Sequence, residues 1–240
     1  MLKSVSAWAL KDNTERPAES LFAEAKEHGF EGVELAVGQS GPLTPDTDEG
    51  AAAEILKHAE QEGVRVSSVA SGLGWQFPLS DTDEDVRAQG IQIQQRCLRI
   101  AGWLGVDCVL LVPGQLSGIG AQGPEHVPYD VACENMSASI RELIPAAEEA
   151  GVHIGIENVW NKVLLSPIEM RDFIDAFGSP WVGCYLDVGN MIVTGYAEDW
   201  VRILGPRVKS VHFKDFKRQV GTIEGFCDLL EGDVNYGEGM

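Results

Sequence analysis

Repeated joints between helices and strands constrain the fold of this chain more than any other feature of its sequence. At four positions a stretch with helical periodicity ends in a glycine and an apolar run follows directly: Gly29, Gly63, Gly105 and Gly151. Glycine readily adopts the left-handed conformation that ends a helix, so each position predicts a helix that passes into a strand. Helices that alternate with strands are typical of a parallel sheet covered by helices.

The complete pattern contains seven candidate strands and six candidate helices. The predicted strands are 4–10, 32–36, 64–70, 107–112, 152–157, 182–187 and 208–213. The predicted helices are 18–28, 49–62, 84–104, 129–150, 167–177 and 199–204. A doubly wound open sheet is the competing α/β architecture, but the chain has no GxGxxG motif after its first strand and no P-loop motif.

We predict an α/β fold of the (β/α)₈ TIM barrel type, formed as a single domain over residues 1–240. The length of 240 residues is close to the roughly 250 residues of such a barrel. Only seven strands are visible, and the glycine-rich end YGEGM contains no apolar run for an eighth. We expect the eighth βα unit to be missing from this chain, because a natural seven-stranded form would expose two strand edges.

Composition narrows the class of partner. The chain has 18 Lys and Arg against 37 Asp and Glu, a net charge of −19, which disfavours binding to nucleic acid. No apolar run is long enough to span a membrane, and the N-terminus does not resemble a signal peptide, so we expect a soluble cytoplasmic protein. The five cysteines have no CxxC spacing and are predicted to be reduced thiols.

Polar residues capable of binding a metal lie near the ends of three successive predicted strands: Glu157, Asp187 and His212. Catalytic groups of parallel barrels project from the C-terminal ends of the strands. Carboxylate and imidazole ligands suit a divalent ion such as Mn²⁺, Mg²⁺ or Zn²⁺. Structural roles are the alternatives: Glu157 paired with Lys162, Asp187 as a turn residue before Gly189, and His212 as a buried core histidine.

Other residues at the same end of the barrel are candidate substrate contacts. Trp8 ends the first strand and forms either the wall of a sugar pocket or part of the core. Glu34 ends the second strand, where a salt bridge to a neighbouring helix is the favoured interpretation. The loops SGLGWQFPLSD, which contains Trp75, and PGQLSGIGAQGPEHVPYD are both long, and we expect one or both to cover the site.

The segments WQFPLSDTDEDVRAQGIQI, YLDVGN, VHFKD and YGEG resemble the xylose isomerase-like TIM barrels, the sugar phosphate isomerase and epimerase superfamily. Within it they are most similar to the L-ribulose-5-phosphate 3-epimerase and hexulose-6-phosphate isomerase-like branch. The resemblance implies that Glu157, Asp187 and His212 are metal ligands and that Glu157 is also a catalytic acid–base group. It further implies a fourth ligand, a glutamate on the eighth strand, which would fall beyond Met240.

Four residues near the metal ligands are further predicted to contact the sugar: Asn158, Asn190, Lys214 and Asp215. Asn190 stands where many members of the superfamily have histidine, which we interpret as a specificity feature. Lys214 forms a basic cluster with Lys217 and Arg218. This cluster either binds a substrate phosphate or balances nearby acids in solvent, and the sequence favours neither.

The resemblance implies a divalent-metal-dependent ketose or ketose-phosphate 3-epimerase or isomerase, which transfers a proton through a metal-stabilised enediolate. A metal-dependent lyase, such as an inosose dehydratase, would use the same ligands and is the main alternative. A non-catalytic sugar-binding barrel is another. Similar epimerases are often dimers or tetramers, and the composition leaves the oligomeric state open.

Overall fold

A sheet of seven parallel strands forms the centre of the computed structural model, which describes residues 2–117 and 126–237. The strands are β1 (Ser4–Ser6), β2 (Gly32–Val37), β3 (Arg65–Ser71), β4 (Cys108–Leu111), β5 (His153–Glu157), β6 (Val182–Asp187) and β7 (Val208–His212). Each is hydrogen-bonded to the next in chain order. All seven predicted strands are therefore confirmed. Residues 118–125 of the second predicted covering loop, and the last three residues of YGEGM, lie outside the described residues.

Six α-helices connect successive strands of this sheet, and short 3₁₀ helices also occur after β1, after β3 and after the sixth α-helix. They are α1 (Ala18–Glu27), α2 (Glu49–Glu62), α3 (Glu84–Trp103), α4 (Tyr129–Ala150), α5 (Pro167–Asp175) and α6 (Ala197–Leu204). The four predicted glycine joints all have φ between +65° and +74°, which confirms them as helix ends. Within the described ranges, no helix has the length and apolar composition needed to cross a membrane.

The sheet curls strongly, and contacts across its inner face show this. Glu34 on β2 accepts hydrogen bonds from Ser68 on β3 and from Tyr185 on β6. Residues on such distant strands meet only if the sheet bends around a common interior. A small apolar cluster that includes Ala70, Leu110 and Tyr185 fills part of this interior, and a larger core packs the helices against the outer face.

The first strand is shorter than predicted. It ends at Ser6, and residues Ala7–Ala9 form a 3₁₀ helix whose Trp8 N–H donates to the Ser6 hydroxyl at 3.4 Å. A serine hydroxyl that accepts from the following turn competes with extension of a strand. Trp8 consequently stands beyond the strand with 44% of its surface exposed, so it is not a core residue.

The chain after β7 forms a small hairpin that the sequence did not predict. Strand β8 (Asp215–Phe216) pairs antiparallel with β9 (Phe226–Cys227). The Phe216 ring packs edge-on against Phe226 and Trp160, with ring centroids 5.1 and 5.4 Å apart. Strands of two residues are too short to give a periodic pattern, so aromatic packing rather than alternation stabilises this segment.

Candidate metal centre and active site

The three predicted ligands are the last residues of three neighbouring strands. Asp187 on β6 is the register partner of His212 on β7, and Glu157 on β5 is the partner of Tyr185, two residues before Asp187. Side chains two residues apart on a strand share a face, so all three point to the same side. One ligand atom from each residue lies within 4.8 Å of those of the other two. The structure therefore brings together the ligand set indicated by the sequence.

The two oxygens of the Asp187 carboxylate have different surroundings: one lies in a turn, and the other faces the centre of the cluster. Its Oδ1 accepts hydrogen bonds from the backbone N–H groups of Gly189 and Asn190, both at 2.9 Å. Its Oδ2 is buried, forms no hydrogen bond of good geometry among the described residues, and lies 3.1 Å from the Lys214 ammonium. A buried carboxylate is costly unless an opposing positive charge compensates it, and a divalent cation would supply such charge beside Lys214. The turn role and the ligand role are therefore compatible, and the residues present fit a metal ion.

The Lys214 ammonium provides positive charge beside the Asp187 carboxylate. Its Nζ lies 3.1 Å from Asp187 Oδ2 and 3.5 Å from Asn190 Oδ1. Burial lowers the pKa of Lys214, but the charges of Asp187 and Glu157 outweigh it and raise that pKa. Arg218 stacks instead on the Tyr196 ring at 4.7 Å. Lys214 thus contacts a carboxylate and Arg218 contacts an aromatic ring. The two side chains do not converge on a common site for one phosphate.

His212 lies between two carboxylates. Its Nε2 is 2.9 Å from Glu34 Oε1, and its Nδ1 is 3.7 Å from Glu157 Oε1. Burial lowers the pKa of His212, but the hydrogen bonds to Glu157 and Glu34 raise it to about 10. The favoured interpretation of Glu34, a salt bridge to a helix, is wrong because its side chain points into the barrel and contacts a metal-ligand candidate.

Glu157 is buried at the end of β5, with His212 and Asn190 as its polar neighbours. The Asn190 Nδ2 lies 3.5 Å from Glu157 Oε1. Burial raises the pKa of Glu157, and the Asp187 charge raises it further, against the lowering effect of His212. A carboxylate with a raised pKa is a stronger general base. The alternative partner, Lys162, donates instead to Ser117 at 2.6 Å.

Asn158 and Asn190 hold the backbone around Asp187. The Asn158 Nδ2 donates to the Asp187 carbonyl and its Oδ1 accepts from the Asp187 N–H, both at 2.8 Å. The Asn190 Nδ2 donates to the Asn158 carbonyl at 3.0 Å. Asn158 was predicted to contact sugar, but both polar atoms of its side chain bind the backbone of Asp187. Asn158 therefore holds the backbone of this candidate ligand in place.

Asp215 also differs from its predicted role as a sugar contact. It is buried, and its oxygens accept four backbone N–H groups, from Phe216, Leu230, Gly232 and Val234, at 2.9–3.1 Å. A carboxylate so fully engaged has little capacity left for a sugar hydroxyl. Asp215 instead anchors the segment that follows β9.

We expect the substitution Asp215→Asn to loosen this segment. Asparagine replaces one acceptor oxygen by an NH₂ group, which cannot accept hydrogen bonds from the backbone N–H groups that face it. Hydrogen bonds to charged groups contribute about 1.5–3 kcal/mol, so amide exchange of Leu230, Gly232 and Val234 should accelerate by at least about ten-fold. Hydrogen exchange measures this, with the exposed Asp228→Asn as the matched control. Equal protection in both variants would contradict the anchoring role.

Trp8 and Trp75 lie in different surroundings. Trp8 lines a cavity of about 280 Å³, formed mainly by the segments that follow β1, β2 and β3. Two other lining residues are joined by a 2.9 Å hydrogen bond, which Gln39 donates to Gln76. Trp75 does not line it and packs against the apolar cluster inside the barrel. The first predicted covering loop contributes Gly72, Leu73 and Gln76 to the cavity wall.

Comparison with known proteins assigns the family. The family sequence model of the xylose isomerase-like TIM barrels matches residues 22–240 of this chain. The chain belongs to this family. As a xylose isomerase-like TIM barrel, it has the fold expected from the sequence, with seven strands described in the structure.

Individual relatives of this xylose isomerase-like barrel are distant. The putative L-ribulose-5-phosphate 3-epimerase SgbU of Escherichia coli K12 is 27% identical, over 90% of this chain and 72% of its own length. L-ribulose-5-phosphate 3-epimerase UlaE of Escherichia coli O1:K1 is 25% identical, over 70% of this chain and 57% of its own. The match to UlaE therefore spans little more than half of that protein.

A solved structure supports the same fold. A D-tagatose 3-epimerase-like protein superposes with a TM-score of 0.79 at 19% identity, covering 100% of this chain and 84% of its own. At this level of identity the similarity establishes the barrel architecture, and the chemistry has to be argued from the site.

Proposed function

We propose that this chain is a divalent-metal-dependent ketose or ketose-phosphate 3-epimerase. The observation that carries the proposal is the convergence of Glu157, Asp187 and His212, in which the buried Asp187 Oδ2 faces the cluster and is opposed by the Lys214 ammonium at 3.1 Å. These three residues would hold Mn²⁺, Mg²⁺ or Zn²⁺. The names of the relatives support the reaction class, because SgbU, UlaE and the solved neighbour are all named as 3-epimerases or as similar to one.

A divalent cation in this cluster would polarise the carbonyl of a ketose and make the hydrogen on carbon 3 more acidic. Glu157 is the base that removes this proton from one face of the sugar. Inversion at carbon 3 requires a second acid–base group on the opposite face to return a proton, a role that the resemblance gives to the glutamate of the eighth strand. Asp187 keeps its charge directed into the site because its other oxygen is tied to the turn. Asn158 fixes the position of that turn.

The proposal is tested by proton exchange in D₂O. The protein is incubated with ketopentoses, ketohexoses and their phosphates, with each of the three metals in turn and with EDTA as the metal-free control. Chelation before proton NMR removes the paramagnetic Mn²⁺. We expect deuterium at carbon 3 only when metal is present, and comparison of free and phosphorylated sugars identifies the substrate class.

Each other result has a defined meaning. Exchange at carbon 1 instead of carbon 3 would identify an aldose–ketose isomerase. A product that has lost water would identify a lyase. No exchange with any sugar, while metal binding is demonstrated independently, would contradict the proposed reaction.

A further inference from the structure

Glu34 is a buried acid for which the proposed reaction has no role. It lies on β2, whereas the candidate ligands lie on β5, β6 and β7. Its Oε2 accepts hydrogen bonds from the Tyr185 hydroxyl at 2.6 Å and from the Ser68 hydroxyl at 2.8 Å. Its Oε1 lies 2.9 Å from His212 Nε2. Polar groups from three other strands therefore converge on this one carboxylate.

The contact with His212 determines how the imidazole is used. A carboxylate accepts hydrogen bonds and does not donate them, so the hydrogen between the two groups belongs to Nε2. The opposite nitrogen, Nδ1, faces the Glu157 carboxylate at 3.7 Å and is on the side of the ligand cluster. Glu34 therefore leaves Nδ1 as the atom of His212 that is available to a metal.

Glu34 does not belong to the cluster itself. The group of convergent ligand atoms found in the described residues contains Glu157, Asp187 and His212 but not Glu34. Glu34 contacts the imidazole through the nitrogen remote from Glu157. Tyr185 supports both partners, because its hydroxyl binds Glu34 and its ring packs against that of His212 with centroids 4.6 Å apart.

We propose that Glu34 is a positioning residue that sets the metal affinity of this barrel by orienting His212 through Nε2, with Tyr185 and Ser68 holding Glu34 in place. The inference rests on the proposed function for the metal site. Carboxylates that accept from the second nitrogen of a ligating histidine fix its orientation and increase its basicity, and their loss weakens metal binding by about 10- to 100-fold.

Glu34→Gln tests whether the negative charge of Glu34 is required, and Tyr185→Phe tests whether the Tyr185 hydroxyl is required to hold Glu34 in place. The full chain of each variant is titrated with Mn²⁺ and bound ion is measured by electron paramagnetic resonance. Exposed Glu60 on α2 provides the matched control Glu60→Gln. We expect Glu34→Gln to raise the Mn²⁺ dissociation constant by about 10- to 100-fold, Tyr185→Phe to raise it less, and Glu60→Gln to leave it unchanged. Circular dichroism melting checks that each variant is folded.

A second readout separates this inference from the metal assignment. In metal-free protein, the His212 Nε2–H proton should give a slowly exchanging NMR signal that Glu34→Gln weakens or shifts. An unchanged dissociation constant in Glu34→Gln overturns the inference. If wild-type protein binds no Mn²⁺, the proposed metal site fails, and the NMR signal alone decides whether Glu34 orients His212. An identical signal in both proteins then overturns the inference as well.

Discussion

Replacing Glu157 by glutamine should lower the rate of deuterium exchange at carbon 3 by about 10²- to 10⁴-fold, the contribution typical of one positioned base. Glutamine keeps the size of the side chain and removes its ability to take a proton. The measurement is single-substrate exchange followed by NMR, at metal concentrations high enough to saturate the variant, so that weaker metal binding does not imitate the loss of the base.

This variant should remain folded. Burial and Asp187 both disfavour the charged form of Glu157, so a neutral glutamine removes an electrostatic cost from the metal-free protein. The Glu60→Gln variant is again the matched control and should exchange at the wild-type rate. An exchange rate within about three-fold of wild type in Glu157→Gln, well below the range expected for a base, would show that another group removes the proton.

Replacing Gly90 by alanine should lower the free energy of unfolding by about 3 kcal/mol, the upper end of the cost of overpacking. Gly90 lies within α3, and a Cβ there would be 2.4 Å from the Phe77 carbonyl oxygen. A backbone oxygen cannot turn aside as a flexible side chain does. Alanine normally stabilises a helix by up to about 1 kcal/mol relative to glycine, so this substitution reverses the usual sign.

Gly50→Ala is the matched control for that reversal, because Gly50 lies in α2 and a Cβ there would meet only the Asp48 side chain, at 3.4 Å. We expect the control to melt at or above the wild-type temperature. Gly90→Ala should melt roughly 6–12 °C lower, from about 2–4 °C per kcal/mol for a chain of this size. A melting temperature equal to that of wild type would show that α3 and the loop containing Phe77 can move apart at little cost in stability.

The strands and helices were predictable because their signals are local. Helical periodicity, the glycine ends and the apolar runs each occupy a few consecutive residues, and all four glycine joints are where the sequence placed them. The structure departs from the predicted elements where local preferences compete or where an element is too short to show a period. Ser6 ended β1 early by capping the turn that contains Trp8, and β8 and β9 are too short for any period to be visible.

The candidate ligands were predictable for a different reason. Parallel strands present their carboxyl ends at one edge, so the polar residues that end β5, β6 and β7 must lie near one another once the sheet is assigned. The sequence therefore determined both the architecture and the identities of Glu157, Asp187 and His212 as a group. It could not show that one Asp187 oxygen accepts from the turn while the other faces Lys214 and the cluster.

Only the tertiary structure decided the contacts of Glu34, Asn158 and Asp215. Glu34 contacts His212 across 178 positions of sequence, and that contact exists because the sheet curls. Asn158 and Asp215 were predicted to contact the sugar, yet the side chains of both form hydrogen bonds with backbone groups. Strand and helix patterns follow from steric preferences of neighbouring residues, whereas the partner of a buried polar group depends on which distant donor the completed fold brings within hydrogen-bonding distance.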